Sequence, residues 1–201
     1  MQQRTPEWFQ ARAGLVTASR FADVMAKIKS GESASRKNYR AQLVCERLTG
    51  HPQESFTSPA MMWGAEQEPF AKAAYEAQTG ELIEEVGFIR HSELGAGASP
   101  DGCVGPKGLI ETKCPNTATH IETLMHGMSP GHVPQVQGQM WITGREWCDF
   151  VSFDPRMPEH MQLYIERIPR DDAYIANLEA EIIRFIAEIE ETIEQLTKRA
   201  A

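Results

Sequence analysis

"GASPDGCVGPKGLIETKCP", residues 97–115, sets Asp101 ahead of a Glu-x-Lys triplet, Glu111 to Lys113, in a segment otherwise made of apolar and turn-forming residues. In a β-strand alternate side chains share a face, so Glu111 and Lys113 point one way and Thr112 the other. The Gly/Pro-rich run "GCVGPKG" makes a turn, so the preceding strand folds back as a hairpin and brings Asp101 beside Glu111. Two carboxylates so placed repel unless a cation lies between them, and hard oxygen donors suit Mg²⁺ or Mn²⁺. A lysine on the same face then orients a water or neutralises charge on phosphoryl oxygens. An arbitrary Glu-x-Lys is ordinarily an exposed, weak ion pair. Here Leu109, Ile110 and Cys114 argue for a buried strand, where charges are costly unless paired or metal-bound.

Outward from this hairpin the pattern divides in two. Towards the N-terminus it predicts a short helix after Pro6, a turn at Gly14, a second helix from Thr17 or Ser19 to before Gly31, a third over 33–50 and a fourth over 61–80. Pro69 is compatible with the fourth only in its first turn. Residues 82–91 and 94–104 look like paired strands, with a third over 108–115. A helix over 132–144, strands over 146–155 and 161–170, and a long amphipathic helix from an Asp171 cap to Lys198 complete the order. Ile175, Leu178, Ile182, Phe185, Ile189 and Leu196 form the apolar stripe of that helix. The expectation is a single domain over 1–201 of α/β (α+β) class, with a mixed central β-sheet flanked by helices. His120, His126 and His132 fit no zinc spacing and read as polar loop and helix residues.

Composition narrows the class. The formal net charge is −8, yet residues 1–50 carry nine Lys/Arg against four Asp/Glu, and residues 171–201 three against eight. A basic quarter ahead of an acidic remainder fits one face meeting phosphate, and fits solvated surface charge almost as well. Four scattered cysteines without a C-x-x-C pair read as free thiols of a reducing compartment. The N-terminal "MQQRTPEWFQ" has no apolar signal core, and no run reaches the ~18 apolar residues of a membrane span, so a cytoplasmic location is expected.

Taken together, Pro100-Asp101 followed by Glu111-Thr112-Lys113 resembles the motif of the PD-(D/E)XK nuclease superfamily. With "WFQARAGLVTAS" (8–19), "MMWGAEQEPFAKAAYE" (61–76), "ASPDG" (98–102), "VPQVQGQMWIT" (133–143) and "FDPRM" (153–157), the chain is similar in order and spacing to the lambda exonuclease / YqaJ-type viral recombinase family over about residues 8–195. That resemblance implies a restriction-endonuclease-like core. It implies that Asp101, Glu111 and the backbone carbonyl of Thr112 hold Mg²⁺ or Mn²⁺ as one or two ions, and that Lys113 acts on the attacking water. Glu68 would orient a metal-linked water as base, and Gln135, chosen by register over Gln137 and Gln139, would steady the lysine. Arg12, Ser19 and Ser99 match positions that cradle the 5′-phosphate of a DNA end, a use that an arginine fork and two hydroxyls support. Lys29 stands where some relatives carry an arginine that reaches into the DNA groove, a departure that keeps the charge and loses the planar fork, and Met61 and Met62 stand where an apolar wedge would part the terminal base pair.

Each of these residues also has an ordinary use. Ser19 serves as a helix cap, Glu68 as a first-turn glutamate, Arg12 as a partner of Glu7, and Met61 with Met62 as core packing. The resemblance implies a metal-dependent 5′→3′ exonuclease on double-stranded DNA ends, releasing 5′-mononucleotides and leaving 3′ single strands. It further implies a toroidal trimer and a single-strand annealing recombinase as partner, encoded by a phage or prophage. The alternatives are a non-catalytic DNA-end-binding scaffold and an endonuclease or repair nuclease on the same core.

Overall fold

The computed structural model describes residues 1–53 and 58–200. Helix α1 (Pro6–Arg12), capped by the Thr5 side chain, leads through a turn at Gly14 into β1 (Val16–Thr17), a single 3-10 turn (Ala18–Arg20) and the short α2 (Phe21–Met25). Helices α3 (Ala34–Thr49) and α4 (Pro59–Thr79) follow, each started by a serine cap and each ended by a left-handed glycine, Gly50 and Gly80. The strands β2 (Ile83–Glu84), β3 (Ile89–Arg90), β4 (Ala96–Ala98), β5 (Gly102–Val104) and β6 (Gly108–Lys113) come next. Then α5 (Thr117–His126) and α6 (Val133–Thr143) cross over to β7 (Trp147–Phe153), which turns back into β8 (Leu163–Pro169) before α7 (Asp172–Ala200).

Five strands form the main sheet in the order β2-β5-β6-β7-β8, with β6 and β7 parallel and the other pairs antiparallel. A second sheet, β1-β4-β3, pairs β1 with β4 in parallel. The parallel β6–β7 pair requires a crossover, which α5 and α6 supply. Helix α4 packs on β6, β7 and β8, whereas α2, α3, α6 and α7 bury a helical core in which Phe21, Tyr39, Leu43, Leu178, Ile182 and Phe185 meet. The mixed sheet flanked by helices is the restriction-endonuclease-like PD-(D/E)XK core.

Several boundaries differ from the pattern's expectation. The helix expected from Thr17 or Ser19 to Gly31 is a 3-10 turn running into α2 that stops at Met25; Thr17 stands at its N-cap position without a side-chain cap bond, pairs in β1 opposite Gly97, and its N–H donates to the Tyr39 hydroxyl at 2.9 Å. Pro69 lies deep inside α4, not in its first turn, since the helix already begins at Pro59. The missing N–H is tolerated because the following turns bury Ala71 and Tyr75 on the sheet, where the Tyr75 hydroxyl donates to Asp149 at 2.7 Å. The runs 82–91 and 94–104 do pair, but in two pieces belonging to different sheets: β2 with β5, and β3 with β4. Between the pieces of the second run stand Ser99, Pro100 and Asp101. Helix α5 has no counterpart in the pattern, and its His120, read as a polar loop or helix residue, is on a helix but fully buried between Ser152 Oγ and the Met161 carbonyl. On α7 the stripe is buried from Ile175 to Ile189, while Leu196 is exposed.

Candidate active site

Strand β6 is central in its sheet, so Glu111 is only 3% exposed although it carries a charge. Three side chains satisfy it. Lys113 Nζ and Gln135 Nε2 each donate to Oε1 at 2.6 Å, and Gln139 Nε2 donates to Oε2 at 2.6 Å. Lys113 Nζ also donates to Gln135 Oε1 at 3.1 Å, closing a triangle. Gln135 and Gln139 stand one turn apart on α6 and share a face. Gln137 points elsewhere, donating to the Pro169 carbonyl and accepting from Asp171 N–H. Register alone singles out Gln135; the i, i+4 spacing is the signal that would have added Gln139.

Asp101 arrives beside this group from the junction of the two sheets. Its Oδ2 accepts from the N–H and hydroxyl of Thr112, both at 2.6 Å, and its Oδ1 accepts nothing from the described residues. Burial, together with the charges of Glu111 and Glu68, pushes its pKa up to about 7. Burial would lower Lys113, but contact with Glu111 and the charge of Asp101 outweigh it, so the amine stays an ammonium. Glu68, on α4, is held between Arg4 Nη2 at 2.5 Å and Lys72 Nζ at 2.9 Å. Burial would raise it, but these cations hold it below the ordinary glutamate value. So placed, Glu68 is a weak base and a good acceptor for an oriented water.

The same cleft, about 580 Å³ in volume, is also lined by Arg12, Ser19 and Ser99. The Arg12 guanidinium lies 3.7 Å from the Trp8 ring and bonds Thr17 and Ser19 hydroxyls at 3.4 Å, while Trp8 Nε1 donates to Ser99 Oγ at 3.0 Å. Ser19 caps no helix, and Arg12 stacks on Trp8 rather than pairing with Glu7. Met61, 55% exposed, lines the cleft from the first turn of α4, and Met62 is 50% exposed, so neither packs in the core. Lys29 is exposed beyond α2 and does not line the cleft. His132, unremarked as a site residue in the sequence, lines the cleft and stacks on Phe150 with ring centres 5.4 Å apart.

Beyond β6, Asp154 braces the site. Its carboxylate accepts from Arg156 N–H and Nε on one oxygen and from Thr117 Oγ1 and Arg156 Nη2 on the other. Arg156 also donates to the Pro115 carbonyl and lies over the Trp63 ring, joining the exit of β6 to α4.

The donor set fits a divalent cation. Among the described residues no three His, Cys, Asp or Glu side chains form a closed metal cage. Mg²⁺ needs none, because it is typically held by one or two carboxylates with waters and substrate phosphates. Asp101 and Glu111 with the Thr112 carbonyl are such a set, and the burial and the charges of Glu111 and Glu68 that push Asp101 up are what a bound cation would offset.

A family model described as the YqaJ-like viral recombinase domain matches residues 7–146. The chain belongs to the YqaJ-like viral recombinase domain family. The matched span contains Arg12, Glu68, Asp101, Glu111, Lys113 and Gln135, and ends before Asp154. The chain is 54% identical to LHK-Exo, an alkaline exonuclease from Laribacter hongkongensis, with a TM-score of 0.91 and 98% of each chain covered; one of that protein's structures is a complex with dAMP. A phage-related exonuclease from Haemophilus somnus 129PT shares the fold at 17% identity and a TM-score of 0.71, covering 93% of this chain and 96% of the other. ExoD, an uncharacterised protein of Escherichia coli K12, is 29% identical over 65 residues, 32% of this chain and 74% of its own. This YqaJ-family chain is thus a nuclease of the alkaline-exonuclease type, and none of its described helices is long and apolar enough to cross a membrane.

Proposed function

We propose that the protein is a divalent-metal-dependent 5′→3′ exonuclease acting on double-stranded DNA ends, releasing 5′-mononucleotides and leaving 3′ single strands for annealing recombination. The observation that carries this reading is one cleft lined by two sets of groups, Asp101, Glu111, Lys113 and Gln135 together with Arg12, Ser19 and Ser99. The exonuclease activity in the name of LHK-Exo and its complex with the mononucleotide dAMP support the same reading.

Asp101, Glu111 and the Thr112 carbonyl would hold Mg²⁺ or Mn²⁺, with Glu68 reaching it through a water. When bound, such ions polarise phosphoryl oxygens and lower the pKa of water. Lys113, fixed by Glu111 and Gln135, orients the attacking water and offsets charge developing on the phosphate. Arg12, Ser19 and Ser99 seat the terminal 5′-phosphate, and so set which bond lies over the carboxylates. Met61 lines the cleft where the terminal base pair would open. Lys29, outside the cleft, meets the duplex further along. A trimeric ring and a single-strand annealing recombinase are the proposed assembly and partner, in the cytoplasm of a bacterial host carrying the phage or prophage.

The test is digestion of linear duplex labelled at the 5′ or 3′ end, beside a closed circle. Mononucleotides should appear first from 5′ ends, stop with EDTA, and fall by at least ~10²-fold in kcat for Lys113→Ala, whose charge acts in the transition state. Binding without cleavage would place the scaffold reading first, and cutting of circles the endonuclease.

A further inference from the structure

We propose that Gln139 is a positioning residue that holds Glu111 for the cation, an inference resting on the nuclease reading above. A carboxylate oxygen accepts about two hydrogen bonds. Glu111 Oε1 already receives Lys113 and Gln135, whereas Oε2 receives Gln139 alone. The oxygen left with an open acceptor site is therefore the one that Gln139 fixes, and both residues line the cleft.

A second observation concerns what this arrangement sacrifices. Gln139 is 1% exposed, and its Oε1 is buried without a hydrogen-bond partner among the described residues. Turning the amide over would set that oxygen against the Glu111 carboxylate, so the charge of Glu111 dictates the orientation. Two residues earlier on α6, Gln137 is equally buried and satisfied at both ends, as a glutamine serving only the fold would be. Gln139 leaves its own acceptor orphaned and gives its donor to one oxygen of one carboxylate.

The test is Gln139→Met, which keeps the length and removes both the donor and the orphan. Expected are a thermal midpoint equal to or above the parent's, and Mn²⁺ affinity, read by electron paramagnetic resonance without DNA, weakened ~10-fold. With these go a kcat on linear duplex reduced ~10- to 100-fold and a KM for DNA ends within ~2-fold of the parent's. Gln137→Met should do the reverse, lowering the midpoint and leaving Mn²⁺ binding intact. Gln139→Leu is read in the same way; failure of both Gln139 variants to fold would assign the residue to the core and overturn the inference. So would unchanged Mn²⁺ affinity and kcat in Gln139→Met, in a protein whose parent binds the ion and digests DNA. A parent that neither binds Mn²⁺ nor digests DNA would overturn the nuclease reading, and this inference with it.

Discussion

Asp154 shows how far one side chain sets the frame of this site. Fully buried at the end of β7, it is held by Arg156 and Thr117, and although burial alone would raise its pKa, those hydrogen bonds bring it down to about 2. The folded-state value lies below the ordinary 3.8, so the stabilisation is complete above that value and is lost as pH falls from 3.8 towards 2. Asp154→Asn should therefore be less stable than the parent by roughly 2 kcal/mol at pH 7, with the gap closing below about pH 4. Urea titrations at pH 7 and pH 2.5 read both values, and a gap independent of pH would remove the ionised pair from the account. Arg12 is the opposite case, a stacked guanidinium whose polar partners among the described residues are hydroxyls. Arg12→Ala should lower the ratio of digestion rates on 5′-phosphorylated over 5′-hydroxyl ends ~10-fold or more, as a charge-assisted bond to phosphate requires. An unchanged ratio would sink the phosphate-seat assignment. The residues of the motif were legible because strand alternation is local; the residues that satisfy them, Gln139 and Thr112, were not, because nothing local says which donors a fold will aim at a buried carboxylate.

Helix α6 delivers both glutamines, and it reaches β6 only because it lies close against α2. A Cβ on Gly138 would fall 2.3 Å from Phe21 Cδ2, and Phe21 has no exposed surface into which to move. Gly138→Ala should cost about 1–3 kcal/mol through overpacking, measured by thermal or urea unfolding, and a neutral effect would show that α2 yields. Helix propensity pulls the other way, since alanine in a helix interior is favoured over glycine by about 1 kcal/mol. The clash wins because the core does not give. The same contest explains the elements that patterning misplaced. Pro69 reads as a helix start, yet α4 runs through it because Ala71 and Tyr75 are buried beyond it. Thr17 and Ser19 read as caps; Thr17 does stand at the N-cap position of the 3-10 turn, but it makes no side-chain cap bond and pairs with β4. The longer elements, α3, β7, β8 and α7, announce themselves by periodicity, whereas two- and three-residue strands are made by their partners.

For the whole molecule, the charge asymmetry between the ends resolves into contact. Arg36 makes a bidentate pair with Glu188 at 2.7 and 2.9 Å, Arg40 adds a bond at 2.9 Å, and Glu32 receives both arginines. Part of the basic N-terminal quarter is thus spent joining α3 to the acidic α7, while Arg4 and Arg12 line the cleft. A basic face for DNA must then be assembled from several subunits or supplied locally by the cleft. Light scattering on the purified protein should give about 68 kDa, three times the 22.5 kDa subunit, with salt-sensitive retention on linear duplex; a 22.5 kDa particle that still digests DNA processively would end the ring proposal. What the sequence by itself determined is a juxtaposition: alternation sets Glu111 and Lys113 on one face, a hairpin brings Asp101 beside them, and its period binds the stripe of α7 to a core. Only the tertiary structure decided what surrounds them, because Asp154, the Gln135–Gln139 face and the split of two strand runs into two sheets all depend on contacts between segments far apart in the chain, whose energies no local pattern records.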